Sequence, residues 1–189
     1  MKIYLITHAH TEQVQGVAVD AWQLSPRGRD EALHLAQAAL WDDVAQIVVS
    51  AEPKSWLTVA ELARERALPV WVDSRLDELR RGGWIEDYAR QVQAIFAEPR
   101  RAVGEWEAVD SVRQRAVAAL DDLARRFAGE TIAVVGHGLC LSIVRGYILG
   151  DEQINFHAWR RLAFGSYATV TWAPAQVLED FPVAAIGTR

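Results

Sequence analysis

Apolar residues in this chain fall into two kinds of run that alternate along its length. Short continuous runs at residues 3–7 (IYLIT), 46–50 (QIVVS), 70–73 (VWVD), 131–136 (TIAVVG) and 167–172 (YATVTW) have the pattern of strands in a sheet, the first of them a strand buried on both faces. Between them, apolar positions recur at helical spacing. Ser25 reads as an N-cap and Pro26 as a first helical residue, with Leu33, Leu35, Ala36, Ala39 and Leu40 forming an apolar face. Further helices are predicted over about 53–66, 84–97, 110–127 and 139–149, the last closed by Gly150. The punctuation is a polar loop at 11–24, a charged loop at 75–83 with a Gly-Gly pair, and a connection at 98–107 holding Pro99 and Gly104. The chain beyond 172 reads as an irregular tail. No repeat or long linker interrupts it. The alternation predicts a single α/β domain over 1–189, in three layers, with a largely parallel central sheet and helices on both faces. The segment 84–107 is the one stretch placed to act as a small lid.

Two of the predicted strands end alike. The first runs into His8, followed by Ala9, His10, Thr11 and Glu12, and the one at 131–136 runs into His137-Gly138. Ligands of open α/β sheets bind beyond the carboxyl ends of strands, so two such histidines share one site if their strands are neighbours. One can attack phosphorus while the other steadies charge on the transferred group. Gly138 opens the following helix, whose free N–H groups would point to a bound anion. Between the histidines, Leu76-Asp77-Glu78-Leu79 places carboxylates in a loop, suited to protonating a leaving alcohol.

Five stretches, in order, resemble the motifs of the histidine phosphatase superfamily, in its phosphoglycerate mutase-like branch: MKIYLITHAHTE, LSPRGRDEALHLA, SAEPKSWLTVAEL, LDELRRGGW and VVGHG. The resemblance spans residues 2 to about 172. It implies a metal-free and cofactor-free phosphatase with a phosphohistidine intermediate, His8 as nucleophile, His137 as second pocket histidine and Glu78 as proton donor. It also exposes departures. The family's pocket has two arginines; here Thr7 precedes His8, Ala9 follows it, and Ser55 stands at the second arginine position, with Lys54 beside it as a residual cation. Thr7, Ala9, Ser55, Lys54 and Gly138 are therefore the expected phosphate-side residues. Charge-assisted hydrogen bonds contribute roughly 1.5–3 kcal/mol each, so losing two guanidinium groups forfeits about 3–6 kcal/mol of phosphate stabilisation. Weak or atypical activity on a small phosphorylated or other anionic ligand is expected; the alternative is a catalytically impaired pseudo-phosphatase that binds a small ligand or a partner through the altered pocket. Arg27, Arg80 and Arg81 are candidate compensating cations, more simply read as surface residues.

Composition narrows the partners. A net charge of -5 over 189 residues leaves no basic surface for nucleic acid or an anionic membrane. No apolar run approaches the roughly 20 residues that span a bilayer. The N-terminus reads as a strand, not a signal peptide. The single cysteine, Cys140, reads as a packing residue in a reducing cytoplasm. The His8-x-His10 pair permits a rival, a metal hydrolase with His137 or Glu78 as further ligands, but a (β/α)₈ barrel needs about 250 residues.

Overall fold

The computed structural model describes residues 1–82 and 85–182. Six strands, β1 (Lys2–Thr7), β2 (Gln46–Val49), β3 (Val70–Val72), β4 (Thr131–Gly136), β5 (Tyr167–Thr171) and β6 (Gln176–Glu179), form one sheet in the order β3-β2-β4-β1-β5-β6. The first four run parallel to one another, while β5 lies antiparallel to both β1 and β6. Among the described residues six α-helices pack on it: α1 (Pro26–Ala36), α2 (Pro53–Glu65), α3 (Tyr88–Ala97), α4 (Val109–Arg126), α5 (Gly138–Leu149) and α6 (Phe156–Arg160).

The strand period of two divides the core. Ile3 and Leu5 of β1 join one cluster with Val112 and Leu120 of α4 and Leu139 and Ile143 of α5, whereas Tyr4 and Ile6 join the other, with Leu35 of α1 and Val59 and Leu62 of α2. A continuous apolar strand is thus required to serve both faces, as its sequence indicates. Ser25 caps α1 through its side chain, which accepts from Gly28 N at 3.0 Å. Gly28 is needed for a second reason: a Cβ there would lie 1.9 Å from the carbonyl oxygen of His10. The bare glycine lets α1 press against the chain leaving β1.

Two elements depart from the expected pattern. The tail is not wholly irregular, since Gln176–Glu179 forms the edge strand β6. Its side chains are mostly exposed and its pairing with β5 shifts register at Thr169/Val170, so it carries little apolar signal. The short helix α6 was also unforeseen; Asn155 caps it by accepting from Ala158 N at 2.9 Å. The helix expected from 84 begins at Tyr88, and Gly83 and Trp84 lie outside the described residues. Its inward face, Val92, Ile95 and Phe96, is fully buried in the first cluster.

Candidate active site

The site follows from strand register. β1 and β4 are parallel neighbours with Thr7 opposite Gly136, so the next residue of each, His8 and His137, must emerge side by side at the carboxyl edge. His8 N donates to Gly136 O at 2.9 Å, fixing that exit. The two imidazole centroids are 5.2 Å apart. His8 Nδ1 lies 2.7 Å from Ala9 O. A carbonyl only accepts, so Nδ1 carries the proton and Nε2 carries the lone pair. Ala9 is in turn held by its N–H, which donates to Thr58 Oγ1 at 2.9 Å. Phe164 forms a wall, its ring 5.4 Å from His8 and 5.1 Å from His10.

His137 is completely buried. Its Nε2 lies 2.7 Å from Ser50 Oγ and 3.3 Å from Ser55 Oγ, and Ser50 Oγ donates onward to Ser55 Oγ at 2.9 Å. With its proton committed to Ser55, Ser50 presents lone pairs to His137, which places a proton on Nε2. Nδ1 has no hydrogen-bond partner among the described residues. Burial holds the pKa of His137 well below the ordinary imidazole value, and the charges of Lys54, Arg115 and Arg81 push it the same way. The ring is neutral at neutral pH.

A carboxylate absent from the sequence-based expectations stands beside it. Glu52, at the N-cap of α2, places Oε1 3.6 Å from His137 Nε2 and accepts there from Glu78 N at 2.8 Å. Its other oxygen is ion-paired with Lys54, whose ammonium also donates to Val19 O at 2.9 Å. Both side chains are buried, so Lys54 sits at the site already neutralised.

Glu78 closes the arrangement from the far side. Its Oε1 accepts from Leu79 N at 3.0 Å and Cys140 N at 2.9 Å, and its Oε2 from Leu139 N at 3.1 Å. The carboxylate thus satisfies the N-terminal amides of α5 and interacts with its positive dipole end. The loop that carries it is pinned by Arg115 of α4, which donates to Arg75 O (2.7 Å), Asp77 O (2.8 Å) and Glu78 O (3.0 Å) and is ion-paired with Glu107 at 2.9 Å. Glu52, Asp77 and Glu78 line a cleft of about 910 Å³ together with Arg80, Arg81 and the segment 16–20. Burial pushes the Asp77 carboxyl above its ordinary pKa, although Ala51 N donates to it.

The structure brings together His8, His137, Ser55, Lys54, Glu78, Ala9 and Gly138. It does not bring Thr7 with them. The Thr7 hydroxyl donates to Ala163 O at 2.8 Å, lies 3.2 Å from Ser166 O and accepts from Ser166 N at 3.1 Å, which fastens the end of β1 to the start of β5. A hydroxyl so engaged has nothing left for a phosphate oxygen. The free amides expected beyond Gly138 are corrected likewise, because Glu78 occupies those of Leu139 and Cys140. Arg27 is paired with Glu31 and Arg80 is largely exposed, whereas Arg81 lies half-buried on the cleft. Cys140 is fully buried, and burial pushes its thiol up to about 12. Sequence reasoning missed Glu52 and Arg115. For Arg115 a signal existed: it lies three residues after Val112 and four before Ala119, an arginine in the apolar stripe of α4.

A model of the Histidine phosphatase superfamily (branch 1) matches residues 3–178, and the chain belongs to that family. It is 26% identical over 170 residues to Phosphoserine phosphatase 1 of Hydrogenobacter thermophilus, covering 82% of this chain and 80% of the relative. Among solved structures it is similar to the mycobacterial glucosyl-3-phosphoglycerate phosphatase (TM-score 0.79, 19% identity, 97% of this chain and 99% of that one). It is also similar to the alpha-ribazole phosphatase of Shigella flexneri (TM-score 0.73, 20% identity, 100% of each chain). At that identity these are likenesses of fold. The mycobacterial enzyme has also been solved with inorganic phosphate and with VO3. No helix among the described residues is long and apolar enough to cross a membrane.

Proposed function

We propose that this histidine phosphatase superfamily member hydrolyses phosphomonoesters through a phosphohistidine at His8. The observation that carries the reading is the Nδ1 contact with Ala9 O, which leaves the Nε2 lone pair for attack. Nε2 attacks phosphorus, the bond to the alcohol oxygen breaks, and Glu78, a carboxylate at rest that takes up a proton as the substrate binds, passes that proton to the departing alkoxide. Water then attacks the phosphohistidine, returns its proton to Glu78 and releases inorganic phosphate. His137 and the Ser55 hydroxyl line the phosphoryl position, and Lys54 supplies positive charge. Because Glu52 already neutralises Lys54 and Thr7 is engaged elsewhere, turnover of generic aryl phosphates is low. Residues 1–189 act as one domain, with 84–107 as a small cover over the cleft, and the protein works in the cytoplasm.

The experiment is mass spectrometry of the intact protein, quenched after incubation with phenyl phosphate, O-phosphoserine (prompted by the phosphoserine phosphatase relative) and sugar phosphates. Phosphate should appear on His8 with at least one of them and be absent from His8→Ala. Turnover of a phosphomonoester by His8→Ala at the parent rate overturns the assignment.

A further inference from the structure

The sequence pattern puts Leu33 on the apolar face of α1, yet in the folded chain Leu33 is 53% exposed while Leu35 is buried. Leu33 borders a groove of about 360 Å³ between α1 and α2, whose apolar lining includes the half-buried Leu57 and Ala60. Three charged side chains line it as well: Arg29 from α1, and Glu61 and Glu65 from α2. Arg29 donates to Leu24 O at 3.0 Å, and none of the three enters an ion pair among the described residues. Glu61 and Glu65 are four residues apart on one helix face, where like charges repel. A lone exposed leucine is ordinary in a folded protein. One set beside an open apolar groove, with unpaired opposite charges towards its two ends, is not.

Helix direction says what fits there. β1 and β2 run parallel, and α1 and α2 each carry the chain back from the carboxyl edge of the sheet to its amino edge. The two helices touch, so they lie side by side and point the same way. Arg29 lies one turn before Leu33 on α1, and Glu65 lies one turn after Glu61 on α2, which sets the positive charge towards one end of the groove and the negative charge towards the other. A two-fold axis through the middle of the groove reverses the helices of a second copy. It lays Arg29 of each copy against Glu61 and Glu65 of the other, and it sets each Leu33 over the other copy's groove. Any other occupant would have to bring a carboxylate for one end and cations for the other at this spacing. A second copy already carries both.

We infer that the α1–α2 groove is a self-association face, across which two copies of this chain pair as an isologous dimer with their helices antiparallel. The inference does not depend on the phosphatase reading. Sedimentation velocity on the full-length protein, from about 1 µM to about 300 µM, should show a monomer–dimer equilibrium with Kd on the order of micromolar. Leu33→Glu changes an exposed position to another good helix former, so the melting curve should stay in place while Kd rises at least about a hundredfold. Arg29→Glu should weaken the dimer similarly, by setting like charge against Glu61 and Glu65 of the other copy. Combining it with Glu61→Arg and Glu65→Arg exchanges the two ends and should return Kd to within about tenfold of the parent. That rescue separates a lost contact from a misfolded variant. A protein that stays monomeric at about 300 µM overturns the inference, and uptake of an apolar dye by the groove of that monomer would assign it to a small apolar ligand instead. A dimer indifferent to Leu33→Glu, or a charge exchange that restores nothing, overturns it as well.

Discussion

The two flanks of the site are built on different principles. On one side, His8 and His137 emerge from neighbouring parallel strands in matched register, which brings their rings to 5.2 Å of each other. On the other, Glu52, Lys54, Glu78 and Arg115 converge from two helices and a loop, held by charge and by hydrogen bonds to backbone carbonyls and amides. The first flank can persist through wide changes elsewhere, because it asks only for a sheet. The second can be retuned one residue at a time. On the second flank a buried carboxylate, Glu52, accompanies the lysine. Chemistry and affinity are thus separable here, and each prediction below acts on one flank and leaves the other in place.

The largest effect is expected at Arg115, the pin of the second flank. Arg115→Met keeps the length of the side chain but strands the Glu107 carboxylate and three carbonyls of the loop that carries Glu78. Burial raises the Glu107 pKa and the Arg115 hydrogen bonds more than reverse this, so the carboxylate is charged and in need of its partner. Breaking such a buried pair costs about 3–5 kcal/mol. For a domain of this size the melting temperature should drop by roughly 6–20 °C. The His8 phosphorylation rate should fall with it, as Glu78 loses its position. Calorimetry decides this; a shift below about 2 °C would show that the loop holds itself.

How much of this was legible beforehand follows the same division. β1 and β4 announce themselves as continuous apolar runs ending in histidine, and a parallel sheet obliges those ends to meet. Ser25, Pro26 and Gly28 mark the start of α1 equally plainly. The second flank left weaker traces, because its contacts link residues far apart in sequence, as Glu78 is from Leu139 and Cys140. Thr7 misled for a related reason. A residue at a strand end suggests the pocket, yet its hydroxyl found Ala163 and Ser166 in a segment no local pattern connects to β1. Glu52 was hidden because the groups it meets, His137 and Glu78, lie far from it in sequence. Edge strand β6 was hidden by its exposed side chains.

Glu52 sharpens the comparison with a gain of function. Its carboxylate lies 3.6 Å from His137 Nε2, where it repels an incoming phosphate, and it holds the Lys54 ammonium. In Glu52→Gln the amide oxygen can accept from Glu78 N or from Lys54, not both, and Lys54 is released towards the phosphoryl position. Removing one negative charge about 5 Å from the phosphate at an effective dielectric of 20 is worth on the order of 3 kcal/mol before relaxation, and roughly tenfold in kcat/KM for phenyl phosphate is expected to survive. This route is simpler than placing an arginine at position 7, which would first have to break the hydroxyl contacts that fasten β1 to β5. A fall in activity would show instead that Glu52 is what positions Lys54.

The smallest effect belongs to the first flank and appears only as a function of pH. His137 is held well below its ordinary value by burial first and then by the charges of Lys54, Arg115 and Arg81. In the unfolded chain it titrates near 6.5. Between the folded value and about 6.5 the unfolded chain therefore binds a proton that the folded protein refuses. Unfolding free energy must rise with pH across that window, by at most about 1.4 kcal/mol per pH unit, and His137 adds nothing further above it. Its contribution is fully present above the unfolded value and is lost as pH falls towards the folded one. His10 is lowered too, by burial and then by Arg27 against the opposing Glu31, so it contributes a slope of the same sign. Urea midpoints taken between pH 5 and pH 8 on the parent, His137→Asn and His10→Gln separate the two. Both variants should flatten the profile, His137→Asn the more. A profile made steeper by His137→Asn would mean that the ring is protonated in the folded protein, with Glu52 as its counter-ion. The two flanks would then be joined by a second ion pair, and Glu52→Gln should lose its gain.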